Sequence, residues 1–199
     1  MKKPLFFLIT ILLVSFAYAQ NLTSENQIIN SNAAVRITET DLPGFNSTED
    51  AEKIISGIMD VLGLQANFKV KTGHIPNVEA DIRHHQRYII YNPDFVSQVN
   101  KIAKNKWASI FIIAHEIGHH LNGHTLRAMK TQPECELEAD EFGGFVLCKM
   151  GASLEEAQLV MHFIANMDAS KTHPGRMDRL MAIEKGWSKA DAQMAKTSR

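Results

Sequence analysis

Cysteine is scarce in this chain: 199 residues contain two, Cys135 and Cys148. The pattern around them predicts one helix over about Glu134 to Met150, which at 1.5 Å per residue holds the two cysteines roughly 19 Å apart. A disulfide needs Cα atoms within about 7 Å, so this pair is too distant to form one. The sequence therefore predicts two free, mostly buried thiols and excludes a metal centre made of thiolates.

An excess of charge of either sign is also missing. The 21 Lys and Arg residues nearly balance the 22 Asp and Glu residues, and the formal net charge is -1. Nucleic-acid-binding proteins carry a basic excess or a basic stripe, so we do not expect this chain to bind nucleic acid. Hydrophobic residues make up 45% and charged residues 22%, as in ordinary globular proteins, and the chain length favours a single folded domain.

Long hydrophobic runs are lacking after the first twenty residues. The chain begins with Lys2 and Lys3, an apolar run from Leu5 to Phe16 and the small residues of Ala17-Tyr18-Ala19. The run is shorter than the roughly 20 residues of a membrane-spanning helix, and the three features together are typical of a signal peptide. We therefore predict a signal peptide at 1–19 and an exported protein, periplasmic or secreted after cleavage near Ala19. An uncleaved anchor, with membrane association through it, is the alternative.

The rest of the sequence predicts an α+β fold. Polar, Asn-rich residues 20–46 are predicted to form a flexible lead-in to a domain at 47–187, followed by a C-terminal tail at 188–199. The domain is predicted to begin with a helix that starts at Ser47 and is capped by Gly63. Alternating and β-branched residues then predict a small antiparallel sheet, followed by a mainly helical core. The predicted strands are 68–71, 78–82 and 87–91, the last of them stopped by Asn92-Pro93.

An HExxH motif, His115-Glu116-Ile117-Gly118-His119, lies within an apolar segment of helical periodicity. Residues four apart lie one above the other on a helix, so both imidazoles project from one face and can bind the same ion. Glu116 lies beside them, where it can take the proton of a zinc-activated water. A chance match on a structural helix is the alternative.

A catalytic zinc ion takes three protein ligands and keeps one position open, so HExxH requires a third ligand. The spacing found in metzincins needs glycine at 122 and histidine at 125, whereas the chain has Asn122 and Thr125. Glu136 and Asp140 offer another solution, because they are four residues apart and so share one face of a following helix. One of them can bind the metal while the other accepts the N–H of a ligand histidine. Glu138 is rotated about 200° from Glu136 and is predicted to face solvent.

The other histidines are predicted to be structural. His120 points about 100° away from His119, hence away from the metal, and His124 follows the end of the helix. His84 and His85 precede a strand, where they can either pack or line a cleft.

Three segments resemble the motifs of a known peptidase family. HEIGHH at 115–120, ELEAD at 136–140 and THPGRMDRL at 172–180 have the order and spacing of the three motifs of the M48 metallopeptidases, the HtpX-like gluzincins. The resemblance covers roughly Tyr88 to Leu180. It implies a zincin-like metallopeptidase fold whose helical core carries HExxH.

The resemblance also implies how the metal is held. It makes Glu136 the third ligand, so that one Zn2+ per chain is bound by His115, His119 and Glu136. Asp140 would then be the carboxylate that accepts the N–H of a ligand histidine, and Glu116 the general base.

Two residues of the third segment acquire roles only through this resemblance. His173 would lie near the open side of the zinc, where it could stabilise the oxyanion or visit the metal and block it. Arg179 matches a basic residue of the motif and is expected to pair with an acid in the site. Membrane-bound members of the family carry transmembrane helices that have no counterpart in this sequence, which favours a soluble, exported branch.

These features together predict a zinc-dependent endopeptidase that hydrolyses internal peptide bonds of exported or misfolded proteins. Glu116 would take the proton of the attacking water and pass it to the leaving amine. Strand Arg87–Tyr91 is predicted to present a free edge to which an extended protein or peptide substrate adds as a strand.

Two other classes of protein keep the same motifs. One is a non-catalytic peptide-binding or chaperone-like module with the zincin fold, although a pure binder has no need of the Glu116 carboxylate. The other is a structural zinc protein, whose site would be closed by a fourth protein ligand such as His173.

Overall fold

The structure, a computed structural model, describes Phe45 and residues 47–126 and 132–197. The predicted signal peptide at 1–19 lies outside the described residues, and so does the lead-in at 20–46 apart from Phe45. All described residues belong to one compact unit. Within these ranges, no helix has both the length and the hydrophobicity that a membrane span requires.

The described chain forms one helix, then a small sheet, then a series of helices, and the predicted α+β class is confirmed. In chain order the elements are α1 (Thr48–Leu62), β1 (Phe68–Thr72), β2 (Val78–Arg83), β3 (Gln86–Tyr91), α2 (Pro93–Ala103), α3 (Trp107–Leu121), a short 3-10 helix (His124–Leu126), α4 (Pro133–Lys149), α5 (Leu154–Gln158), α6 (Met161–Ile164) and α7 (Arg176–Thr197).

Helix α1 begins and ends where its sequence predicts. The Ser47 hydroxyl accepts a hydrogen bond from the backbone N–H of Asp50 (3.1 Å), and Gly63 ends the helix with a left-handed φ of 68°. Phe45, just before the cap, is 1% exposed and packs edge-on against the ring of Tyr91, with centroids 5.0 Å apart. The hydrophobic core therefore already includes Phe45.

The sheet is mixed, and the predicted antiparallel sheet is wrong. Its strand order is β1-β3-β2, with β3 antiparallel to β2 but parallel to β1. A two-residue turn at His84 and His85, both with positive φ, joins β2 to β3 as a hairpin. The loop between β1 and β2 crosses the end of β3 and is held there by Asn92, whose side chain donates to the Ile75 carbonyl (2.8 Å). This crossing puts β3 between the other two strands, which hydrophobic alternation alone does not reveal.

The strand order also corrects the predicted substrate edge. Strand β3, Gln86–Tyr91, is the central strand and is paired on both sides, so it has no free edge. The edge of the sheet that faces helix α3 belongs to β2.

Helix α2 was not predicted. Asn92-Pro93 does end the third strand, but the same two residues start a helix, since the Asn92 side chain accepts from the N–H of Asp94 (2.9 Å) and Pro93 occupies the first turn. The same Asn92-Pro93 pair thus ends the strand and starts the helix, and its interpretation as a strand end alone left helix α2 unpredicted.

Helix α3 forms the centre of the helical layer and is buried on all sides from Trp107 to His120. Asn105 caps its start by accepting from the N–H groups of Trp107 and Ala108 (3.0 and 3.2 Å). A helix buried on all sides usually carries apolar residues all round, so the polar histidines and glutamate at its C-terminal end need partners from neighbouring elements.

Helices α4 and α7 approach so closely that their backbones touch. A Cβ atom on Gly144 of α4 would collide with the carbonyl oxygen of Ile183, and one on Gly186 of α7 would collide with the carbonyl oxygen of Glu141. This contact fixes α7 against α4 near the site. Helix α7 continues through the segment predicted as a tail, with Ala190 fully buried.

Cys135 and Cys148 lie near the ends of α4, and both are buried thiols that form no disulfide, as predicted.

Candidate metal centre

Two imidazoles and one carboxylate meet between helices α3 and α4. The Nε2 atoms of His115 and His119, one turn apart on α3, are separated by 3.1 Å. Glu136, in the first turn of α4, directs one oxygen to each of them: Oε2 lies 3.6 Å from Nε2 of His115, and Oε1 lies 3.5 Å from Nε2 of His119. The three residues are only 2–8% exposed.

These separations fit the ligand sphere of a small tetrahedral ion. Zinc with bonds of about 2.0–2.1 Å to its ligands separates neighbouring donor atoms by roughly 3.3 Å. Across the described ranges, this is the one cluster of His, Cys, Asp or Glu side chains whose donor atoms lie close enough together to hold a metal ion. The predicted ligands are therefore brought together, and the buried group can hold a metal ion.

Asp140 orients the proposed ligand His115 through the ring nitrogen that faces away from the metal position. Nδ1 of His115 donates to Oδ1 of Asp140 at 2.9 Å, which leaves Nε2 to face the metal position. Arg179 in turn donates two bonds to the same carboxylate, from Nε to Oδ2 (2.6 Å) and from Nη2 to Oδ1 (2.8 Å). Its Nη2 also lies 3.9 Å from Oε2 of Glu136. The expected contact of Arg179 with an acid of the site is thus present, and all of these side chains are buried.

Burial and charge oppose each other in this group. Burial by itself lowers the pKa of His115, but the hydrogen bonds and charges of Asp140 and Glu136 outweigh it and raise that pKa to about 10. Burial raises the pKa of Glu136, but His115, His119 and Arg179 outweigh it and lower that pKa to about 2. The pKa of Asp140 is also lowered, because the Arg179 charge and hydrogen bonds outweigh burial. In the absence of a metal ion, the group is therefore a set of ion pairs.

Glu116 faces the sheet. Its Oε2 accepts a hydrogen bond of 2.6 Å from the backbone N–H of Ala80 in β2, and the residue as a whole is 8% exposed. The Asn77 carbonyl accepts a ladder bond from the N–H of Asn92 (2.9 Å). Ladder bonds of an antiparallel pair occur at every second residue, so Ala80, three positions further along, directs its N–H away from β3. The predicted general base is thus held at the edge of the sheet, one residue from the first ligand.

The third histidine of HEIGHH links the site helix to the sheet. Nε2 of His120 donates to the carbonyl oxygen of Tyr88 in β3 (2.8 Å), and Nδ1 pairs with Oγ1 of Thr125 (3.2 Å). The ring of Phe68 stacks on the imidazole at a centroid distance of 5.5 Å. His120 therefore points away from the ligand group, as predicted, and is a structural histidine.

Sequence reasoning missed one partner of the ligand group, His124. Its Nδ1 lies 3.0 Å from Nδ1 of His119, and its Nε2 lies 2.8 Å from Oε2 of Glu138. Gly123, with φ 76°, reverses the chain after the helix and brings His124 back beside His119. Helical periodicity ends before this turn, and only the glycine indicates it. Glu138 is largely exposed, as predicted, but it has this specific contact.

The structure does not bring His173 into the ligand group. The residue is exposed in the segment before α7, and its Nδ1 pairs with Oγ1 of Thr172 at 2.9 Å. A backbone bond from Ser170 to the His173 carbonyl (2.8 Å) holds this segment. The catalytic role of His173 therefore stays a prediction.

Comparisons with models of protein families, with curated proteins and with solved structures found no match for this chain. The assignment of the site therefore depends on its own geometry and chemistry.

Proposed function

We propose that this protein is a zinc-dependent endopeptidase with a zincin-like fold, related to the M48 metallopeptidases, that acts on exported or misfolded proteins. The observation that carries the proposal is the buried group of His115, His119 and Glu136, with the carboxylate of Glu116 on the same helix. Two nitrogen donors and one carboxylate form the ligand set of many catalytic zinc sites, and this set leaves a position open. The proposed location of the protein is the periplasm or the exterior of the cell, and its proposed partners are protein or peptide substrates.

Zinc is the proposed metal because of its ligands and spacing. Imidazole nitrogen suits zinc better than it suits magnesium or calcium, which prefer oxygen donors, and the donor separations suit a tetrahedral ion. When bound, zinc would supply Lewis-acid chemistry, polarising the scissile carbonyl and making water more acidic.

The residues of this chain would supply the proton chemistry. Glu116 takes a proton from the attacking water and then passes it to the leaving amine. The bond from Ala80 holds its carboxylate at the sheet edge, so the base is oriented before substrate arrives. Asp140 and Arg179 keep Nε2 of His115 directed at the metal position.

The sheet edge offers a place for an extended substrate. Both β2 and β3 contact the site helix, but only β2 is an edge strand there, so a peptide chain would add beside Val78–Arg83. A substrate paired with this edge would compete with Glu116 for the Ala80 N–H, so its backbone would lie next to the general base.

The test compares wild-type protein with Glu116→Gln and with Glu184→Gln, a matched substitution at an exposed position of α7. Zinc content is measured together with cleavage of casein. The expected result is one zinc in all three proteins and cleavage by wild type and Glu184→Gln alone. No zinc in purified or zinc-reconstituted wild type would contradict the proposal. One zinc without cleavage in wild type would favour the non-catalytic peptide-binding alternative.

A further inference from the structure

A chain of three side chains runs from the second ligand to the protein surface. His119 is 2% exposed, and its Nδ1 lies 3.0 Å from Nδ1 of His124, which is itself buried at 5%. Nε2 of His124 lies 2.8 Å from Oε2 of Glu138, whose side chain is 62% exposed. The three residues come from α3, the following 3-10 helix and α4, so the contact also links three elements.

The direction of each hydrogen bond follows from the last acceptor. An ionised carboxylate can only accept hydrogen bonds, so Nε2 of His124 carries a proton and donates a hydrogen bond to Glu138. A neutral His124 then has a lone pair on Nδ1, which must accept from Nδ1–H of His119. His119 is left with a lone pair on Nε2, the atom that lies 3.1 Å from Nε2 of His115. The chain thus selects the tautomer of His119 that can bind a metal.

We propose that His124 is a positioning residue for the metal ligand His119, and that Glu138 fixes the tautomer of His124 from the surface. The proposal rests on the zinc site proposed above. His124 accepts a hydrogen bond from Nδ1–H of His119, which holds the His119 ring in its observed orientation and makes its Nε2 a better donor to the metal.

The two histidine ligands are therefore held by different chemistry. His115 is bonded to the buried carboxylate of Asp140, which Arg179 holds in place. His119 is bonded instead to the imidazole of His124, whose carboxylate partner, Glu138, is exposed to water. Water competes for Glu138 but not for His124, because the imidazole is buried. Most of the effect is therefore expected from His124, and the smaller part from Glu138.

The first test measures zinc affinity by competition with a chromophoric chelator. His124→Leu keeps much of the volume but cannot accept a hydrogen bond, and the expected affinity is about 10- to 100-fold weaker. His124→Asn, whose amide oxygen can accept from Nδ1–H of His119, is expected to recover most of the loss. Glu138→Ala is expected to weaken binding by no more than about fivefold, since its carboxylate is exposed. His162→Leu, at an exposed position of α6, is the control and is expected to match wild type.

The second test needs no core substitution, so it stays decisive if His124→Leu fails to fold. Long-range 1H–15N NMR correlations of the histidine rings distinguish Nδ1–H from Nε2–H tautomers. In zinc-loaded wild type, the expected spectrum shows His124 neutral and protonated at Nε2, and His119 protonated at Nδ1. A His124 protonated at Nδ1, or wild-type zinc affinity in a folded His124→Leu, would overturn the proposal.

Failure of this proposal differs from failure of the proposed function. Tight zinc binding in wild type with unchanged affinity in His124→Leu leaves the proposed metal site intact and removes the positioning role of His124. Absence of zinc binding in wild type removes both. Absence of cleavage despite the expected affinities removes the endopeptidase proposal and leaves the positioning role of His124.

Discussion

Ala80 donates its backbone N–H to Oε2 of Glu116 at 2.6 Å, which joins the edge strand of the sheet to the HExxH helix. The N–H is not needed by the sheet, because it points away from β3. The backbone N–H of a sheet residue therefore orients the proposed general base, and substitutions at Ala80 that remove this N–H test the connection.

Ala80→Pro removes that donor and pushes the carboxylate away, while the sheet keeps its ladder bonds because the lost N–H points outward. A hydrogen bond to a charged group contributes about 1.5–3 kcal/mol, so kcat is expected to fall by tenfold or more with zinc content unchanged. Steady-state kinetics and zinc analysis measure this. Ile82→Pro is the control, since the Ile82 N–H also points outward but bonds to Asp81. Equal losses in both variants would show that the strand, not the bond to Glu116, is responsible.

Arg179→Ala leaves the buried carboxylate of Asp140 without its cation. Breaking one side of a buried, two-bond ion pair costs about 3–5 kcal/mol, so a marked loss of stability in urea unfolding is expected. Lys185→Ala breaks the ion pair between Lys185 and Glu141, which joins the same two helices in solvent (2.7 Å). That variant is expected to unfold like wild type. Equal unfolding midpoints for the two variants would contradict the burial argument.

Gly144→Ala and Gly57→Ala are expected to change stability in opposite directions. A Cβ on Gly144 collides with the backbone of α7, so α4 and α7 must separate, at a cost of about 1–3 kcal/mol or more. A Cβ on Gly57, inside α1, meets only the end of Met150 at 3.7 Å, so its better helix propensity should stabilise the protein by up to about 1 kcal/mol. Thermal unfolding compares both with wild type. A stabilised Gly144→Ala would mean that the two helices are not held at this distance.

Zinc binding is expected to release about one proton at pH 8. Hydrogen bonds and charges from Asp140 and Glu136 outweigh burial and raise the pKa of His115 to about 10 in the metal-free protein, and a metal ligand must be neutral. Calorimetric titration of zinc into chelator-treated protein, in buffers with different ionisation enthalpies, counts the protons. A heat independent of the buffer would show that His115 is already neutral.

The stability of the metal-free protein is expected to be greatest between about pH 4.5 and 6.5. The pKa of His115 is raised from 6.5 to about 10, so its contribution is complete below pH 6.5 and is lost as the pH rises through 10. The pKa of Glu136 is lowered from 4.5 to about 2, so its contribution is complete above pH 4.5 and is lost as the pH falls through 2. Urea unfolding at pH 3, 5.5 and 9 measures this. A maximum at pH 9 would contradict it.

The sequence by itself determined the local features of this protein. The spacing of four residues in His115–His119 and Glu136–Asp140 puts each pair on one helix face, because an α-helix has 3.6 residues per turn. The caps at Ser47 and Gly63 follow from their side-chain chemistry and backbone freedom. These predictions hold because each depends on residues within a turn or two of one another.

Only the tertiary structure decided which separate segments meet. The loop that crosses the end of β3 makes the sheet mixed and gives its edge to β2, and so Ala80, not a residue of β3, contacts Glu116. The turn at Gly123 returns His124 to His119. Pairing between distant segments depends on packing of the whole chain, whereas the periodicity of a segment reports only which of its faces is buried.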